Sequence, residues 1–242
     1  MENDLRRTEN RLLGLLPRME FMRLKTRLER VEMTPGLIVH RTGEHLDYVY
    51  FPTTSIISLR QATPDGESVD IAVVGNDGVV GTELFMGDEE ATNTAVVRNP
   101  GAAYRLSASI LMEEFRQAGV MQRLLLRYTL ALFAQIAQTV VCNEYHSTGQ
   151  RLSRWLLLGI DRLPPNEPKV ASELLADALC VRGASMSKAL AQLQGDEVIR
   201  KGDGYIEVLD RAWLEDHACE CYGVVRQEYD RLLADSMDGR RQ

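Results

Sequence analysis

The chain has 242 residues, 45% of them hydrophobic and 26% charged, and a formal net charge of -7 at pH 7. Such a balance excludes a disordered chain, and the length allows one large domain or two modest ones. The four cysteines, Cys142, Cys180, Cys219 and Cys221, form no C-x-x-C pair and leave the N-terminal half empty. That argues against a disulfide scaffold and for reduced thiols. No apolar run reads as the roughly 18–20 residues of a membrane span. The opening "MENDLRRTENRLLGLLP" lacks the apolar region of a secretory signal. A cytoplasmic chain with no membrane partner is expected.

From about Leu28 to Leu106 short runs rich in Val, Ile and Tyr alternate with turn chemistry. The runs are "LIVH", "YVYF", "SIISLR", "SVDIAVV", "TAVVR" and "AAYRL"; the turns include Pro35-Gly36, Asp65-Gly66 and Pro100-Gly101. Many short strands at this spacing predict a sandwich or barrel. A short helix follows around "ILMEEFRQAG", and one long helix begins near Val120.

That long helix carries two apolar stripes. Met121, Leu125, Tyr128, Leu132, Gln135, Thr139 and Cys142 follow a 4-3 spacing; Leu126, Leu130, Phe133, Ala137 and Val140 run along another face. Two apolar faces need two partners: one suits the β domain, the other the same helix of a second subunit. The first stripe is taken as the dimer interface.

A further helix, "STGQRLSRWLLLGIDRL", places Leu152, Trp155, Leu156 and Gly159 on one face and ends at the break "PPNEP". Then Ala176–Val208, "ADALCVRGASMSKALAQLQGDEVIRKGDGYIEV", reads as helix, sharp turn, helix and a two-stranded ribbon, the outline of a winged helix-turn-helix. A last helix starts near Asp210.

From Leu12 to Leu233 the sequence resembles the Crp/Fnr family of bacterial transcription regulators. "GEHLDYVYFPTTSIISL" is similar to that family's early strands, and "VVGNDGVVGTELFMG" to the Gly-rich segment bordering its effector pocket. "ELLADALCVRGASMSKALAQLQGDEVI" matches its helix-turn-helix, and "YIEVLDRAWLEDHACECYGVV" one subgroup with a DR-x-x-L-E and C-x-C-Y ending. The resemblance implies an α+β chain in three parts. A helix and a cyclic-nucleotide-binding-type, jelly-roll-like β-roll would occupy residues 1–118. A dimerisation helix would occupy 119–146, and a winged helix-turn-helix with a C-terminal helix 147–242.

It also implies sites. The effector pocket would be bordered by Gly78, Val79, Gly81, Asn93 and Thr94. Cyclic-AMP-binding members place a Glu inside the G-x-x-G step and an Arg shortly after. Here the step is Gly78-Val79-Val80-Gly81, and Asn93 stands in the Arg position. Arg98 and Arg105 are near but do not align. A buried phosphate without a cation carries a prohibitive desolvation cost, so no cyclic nucleotide is expected. An iron–sulfur cluster lacks its N-terminal cysteines. His40 and His45 are expected at the surface rather than on haem. In "HACEC", a helix would align His217 with Cys221 and turn Cys219 away, so small buried residues are expected there and no metal or cofactor. Cys180 stands where the family usually has a left-handed Gly, a strain of about 1 kcal/mol.

DNA contacts fall to Arg182, Ala184, Ser185, Ser187, Lys188 and Gln192 on the second helix and to Arg200 and Lys201 on the wing. Gly183, Ala184 and Lys188 replace the family's usual Arg, Glu and Arg, so its usual half-site is not assumed. Between Lys169 and Ile206 five cations (Lys169, Arg182, Lys188, Arg200, Lys201) meet five carboxylates (Glu173, Asp177, Asp196, Glu197, Asp203), which predicts weak, salt-dependent binding. The expected partners are double-stranded DNA, a second copy of the chain and, for an activator, RNA polymerase. The alternative is an adaptor whose winged domain binds protein. An enzyme of the cupin type is not expected, because no H-x-H cluster is present.

Overall fold

The computed structural model describes residues 9–164, 168–172, 175 and 184–234. The chain opens with two short helices, α1 (Arg11–Gly14) and α2 (Arg18–Lys25). Asn10 sets α1 in place. Its Oδ1 accepts from the N–H groups of Leu12 and Leu13, and its Nδ2 donates to the carbonyls of Pro52 and Gly78. One buried side chain thus satisfies a helix start and joins it to the β domain.

Seven strands follow: β1 (Glu29–Met33), β2 (Ile38–His40), β3 (Tyr48–Pro52), β4 (Ile56–Ala62), β5 (Ser68–Val74), β6 (Thr94–Asn99) and β7 (Gly101–Ser107). They form two antiparallel sheets, ordered β1-β7-β3 and β2-β6-β4-β5. In β3 the period of two is plain: Val49 and Phe51 point into the core and Tyr48 and Tyr50 lean outward. Val49, Phe51, Ile57, Val73, Val97 and Leu106 meet between the sheets. β1, "ERVEM", was not among the expected runs; its charges suit an edge strand paired to β7. The short helix α3 (Glu83–Met86) sits between β5 and β6.

Helix α4 (Ala108–Arg116) leads into α5 (Val120–Tyr145), a 26-residue helix. Its own N-cap, Gly119, offers no side chain. Glu20 of α2 supplies the anion instead, accepting from the N–H groups of Val120 and Met121 at 3.4 and 3.2 Å. By length and composition alone α5 is long and apolar enough to cross a membrane. Its two faces have different fates.

The stripe assigned to the dimer is the inner one. Met121, Leu125, Tyr128, Leu132, Gln135, Thr139 and Cys142 are all buried in their own chain. Gln135 donates to the Val73 carbonyl of β5 at 3.1 Å. Thr139 donates to the Gln135 carbonyl, and the Tyr128 ring lies over Gly78, where a Cβ would collide with it. The stripe that faces outward is the other: Leu126 is 42%, Leu130 60%, Phe133 70% and Val140 66% exposed. Both stripes repeat as 4-3, so spacing alone did not separate them. The inner one carries the polar groups, Gln135 and Thr139, that hydrogen-bond within the monomer.

α6 (Thr148–Ile160) starts at a Ser147–Gln150 capping box and is buried from Arg151 to Gly159, on every face rather than one. Beyond it lie β8 (Lys169–Ala171), α7 (Ala184–Gly195), β9 (Ile199–Lys201) and β10 (Tyr205–Val208). The three strands pair antiparallel in the order β8-β10-β9, the wing. Two helices close the chain, α8 (Arg211–His217) and α9 (Glu220–Ala234). α9 returns along α5, setting Tyr229 edge-on to Tyr128 at 6.2 Å between centroids.

Arg162 locks this junction. It pairs with Asp77 of the β domain at 3.3 Å, donates to Gln135 Oε1 of α5 at 2.9 Å, and lies 5.0 Å over the Tyr229 ring. Burial acts against its charge, but Asp77, Tyr229 and Asp161 together more than restore it, so the guanidinium is held above its ordinary value. The β domain, long helix and last helix are therefore joined through one buried cation.

Candidate functional site

Between the second sheet and α5 lies a cavity of about 380 Å³, lined by Leu59, Ile71, Glu83, Asn93, Phe133 and Ile136 among others. Of the residues expected to border an effector, only Asn93 lines it. Gly78 is packed under Tyr128, Val79 is fully buried, and Gly81 sits against Val49 with φ +96°, where glycine is favoured. Thr94 is turned to Thr42, accepting from its backbone N–H at 3.2 Å.

The cavity holds a carboxylate that the Gly-rich step did not reveal. Glu83, two residues past Gly81, is buried, and its Oε1 accepts from Thr92 N (3.1 Å), Thr92 Oγ1 (2.8 Å) and Asn93 Nδ2 (2.9 Å). His40 stands beside Asn93 and Glu83 and is buried, not at the surface as expected; burial pushes its imidazole below its ordinary value despite the pull of Glu83. His45 does lie exposed, near Asp47 and Glu89.

Among the described residues, no Lys or Arg lines this cavity. Arg98 points instead to the buried Asp70, which also meets Arg60 at 3.0 Å. Arg105 pairs with Glu29 at 2.7 Å on the other sheet and covers the Tyr48 ring. Arg60, Arg98 and Arg105 are thus engaged by carboxylates of the roll itself, and an anion in the cavity would face Glu83 without a cation.

On α7 the expected reading face is open. Ser185, Ser187, Lys188 and Gln192 are exposed, while Leu193 is buried and Met186 and Leu190 are half-buried against the core. Ala184 begins the helix. Arg182, Gly183 and Cys180 lie outside the described residues, as does most of the expected first helix, Ser172–Leu179; Leu175 of that segment is buried. On the wing Lys201 is exposed, but Arg200 pairs across the strands with Glu207 at 3.1 Å. The wing turns at Gly202-Asp203-Gly204. The Tyr205 ring fills the space a Cβ on Gly202 would need, and Gly204 has φ +75°. Lys169 lies 5.0 Å over that ring.

The C-terminal cysteines depart from expectation. α8 ends at His217, Ala218 is extended (φ -70°, ψ 155°), and α9 begins at Glu220. The break removes the helical geometry that would have turned Cys219 away from Cys221. His217 stacks on Trp213 at 3.6 Å instead of facing Cys221. Cys219 and Cys221 both point toward Cys142 and His146 at the end of α5.

A β-roll with a cavity under a long helix, followed by an exposed helix and a three-stranded wing, defines a two-part architecture. The family model of the cyclic nucleotide-binding domain matches residues 30–118, and that of the Crp-like helix-turn-helix domain matches residues 150–217. The chain belongs to the Crp/Fnr family of transcription regulators.

Solved structures share the fold. FixK2 from Bradyrhizobium japonicum aligns over 79% of this chain and 98% of its own, with TM-score 0.66 and 18% identity. TTHB099, a CRP-family transcriptional regulator from Thermus thermophilus, aligns over 78% and 96% (TM-score 0.61, 19% identity). CLP, a c-di-GMP-responsive global regulator of Xanthomonas campestris, aligns over 80% and 100% (TM-score 0.61, 14% identity). No curated protein matches the chain in sequence.

Proposed function

We propose that the chain is a cytoplasmic, non-enzymatic, homodimeric regulator that binds an inverted-repeat site on double-stranded DNA, with an effector that is not a cyclic nucleotide. The observation that carries this reading is the pairing of two open faces. α7 exposes Ser185, Ser187, Lys188 and Gln192, and α5 exposes a second 4-3 stripe, Leu126, Leu130, Phe133, Ala137 and Val140. A 4-3 apolar seam suits a parallel pair of identical helices. A two-fold axis along α5 would present two copies of α7 to successive major grooves about 34–36 Å apart.

Lys188 is the long cation of the exposed α7 face and reaches a guanine edge or a phosphate; Gln192 stands a turn further on. Arg182 belongs to the same proposed contact set on sequence grounds. Arg200, held by Glu207, contributes less than Lys201. Effector binding in the 380 Å³ cavity would act on α5 directly, because Leu132, Phe133 and Ile136 form part of its wall. An RNA polymerase contact belongs to the reading only if the protein activates.

The cavity is largely apolar, with a few hydroxyl and amide groups and one fixed carboxylate, which favours an uncharged or cationic ligand over a phosphate. Calorimetry of the purified chain with cyclic AMP and with cyclic di-GMP is expected to show no micromolar binding. Micromolar affinity for either would overturn the effector reading and leave the DNA reading intact.

A further inference from the structure

Outside the two sites above, four soft ligands converge at the joint between α5 and α9. Cys142 lies in the last turn of α5 and His146 four residues on, at its C-cap. Cys219 precedes α9, and Cys221 is its second residue. One ligand atom from each lies within 4.8 Å of every other. The Sγ atoms of Cys142 and Cys219 are 3.5 Å apart, and Cys221 Sγ is 3.4 Å from His146 Nδ1. We propose that Cys142, His146, Cys219 and Cys221 bind one zinc ion, fastening the end of the long helix to the start of the last one.

The spacing fits. Zn–S bonds of about 2.3 Å and Zn–N bonds of about 2.1 Å, at tetrahedral angles, put sulfur atoms about 3.8 Å apart and sulfur to nitrogen about 3.6 Å. The observed separations need shifts of well under about 1.5 Å to meet these values. Three thiolates and an imidazole form a closed, soft donor set of the structural zinc kind, unsuited to Mg²⁺ or Ca²⁺.

The surroundings fit as well. His146 Nε2 is 3.2 Å from Glu220 Oε1, so the carboxylate holds the far ring nitrogen and leaves Nδ1 to the metal. Gln138 Nε2 donates to Cys221 Sγ at 3.2 Å. All three cysteines are buried.

Charge closes the case. Arg154 is fully buried and interacts electrostatically with all three cysteines. It donates to Thr139 Oγ1 at 3.0 Å, while its Nε and Nη1 find no hydrogen-bond partner among the described residues. An isolated buried cation is costly. Zinc with three thiolates and a neutral imidazole carries a net charge of about -1, which Arg154 offsets. On binding, the thiol protons leave to solvent.

The test uses the full-length chain purified under reductant. Elemental analysis is expected to find one zinc per chain, and cobalt in its place should give the absorption of a tetrahedral thiolate site. The exposed Glu220→Gln keeps the fold and should weaken zinc about 10- to 100-fold, as loss of such supporting partners does. Cys221→Ser and His146→Ala should each abolish the cobalt spectrum. A wild-type chain that takes up neither metal overturns the proposal. So does metal uptake that both ligand variants retain, or a Cys142–Cys219 disulfide found in chain prepared under reductant.

Discussion

Lys188 carries the sharpest claim about single residues. It is exposed on α7, and Gly183 and Ala184 stand where the family resemblance leads one to expect Arg and Glu. Lys188→Ala should therefore cost about 1–3 kcal/mol of discrimination on a specific duplex and barely change affinity for unrelated DNA. Fluorescence anisotropy against both duplexes reads the difference, and unchanged preference would move base reading to the wing or to DNA shape. His40 makes a different claim. Its imidazole is held neutral by burial, so the unfolded state takes up a proton first as the pH falls. Stability at this site is then complete above the ordinary value of about 6.5 and declines as pH drops below it. His40→Gln should flatten that part of a thermal-melt profile; an unaltered slope would contradict the burial.

Among the elements, α5 shows what sequence can and cannot settle. Its start near Val120, its length and its two stripes were legible, because a 3.6-residue period marks apolar faces directly. Which stripe meets the β domain was not, since both repeat as 4-3 and the choice lies in contacts far along the chain, Gln135 to Val73 and Tyr128 to Gly78. The strands of the roll were legible from turn dipeptides, except for the charged edge strand β1. In the cavity the absence of the family's Arg was legible at Asn93, whereas Glu83 and His40 were not, because their burial comes from strands distant in sequence. The Cys142–His146–Cys219–Cys221 cluster hid for a similar reason. A single extended residue, Ala218, re-aims Cys219, and the other two ligands come 77 and 75 residues earlier in the chain. The element-scale prediction concerns the outer stripe: Leu130→Glu with Phe133→Glu should convert a dimer to monomer without unfolding it. Each side chain forgoes about 1.5–3 kcal/mol of burial per subunit. Light scattering coupled to size exclusion measures the mass, and a persistent dimer would place the interface elsewhere.

Across the whole molecule, a continuous set of packed elements runs from the cavity to α7. The cavity proposed for the effector shares its wall with α5. α5 is joined to the last helix through Tyr128, Tyr229 and Arg162, and α6 contacts both the last helix and the winged domain. In the proposed dimer, a shift of α5 against its mate would therefore re-aim α7.

The central claim is that a symmetric pair of these chains reads DNA. Selection of bound duplexes from a random pool, at low salt and with the wild-type chain, tests it most directly. The account predicts enrichment of an inverted repeat with half-site centres about 10 base pairs apart, lost in the Leu130→Glu, Phe133→Glu double variant. Enrichment of no duplex, or of a site without two-fold symmetry, would contradict it and favour a winged domain that binds protein.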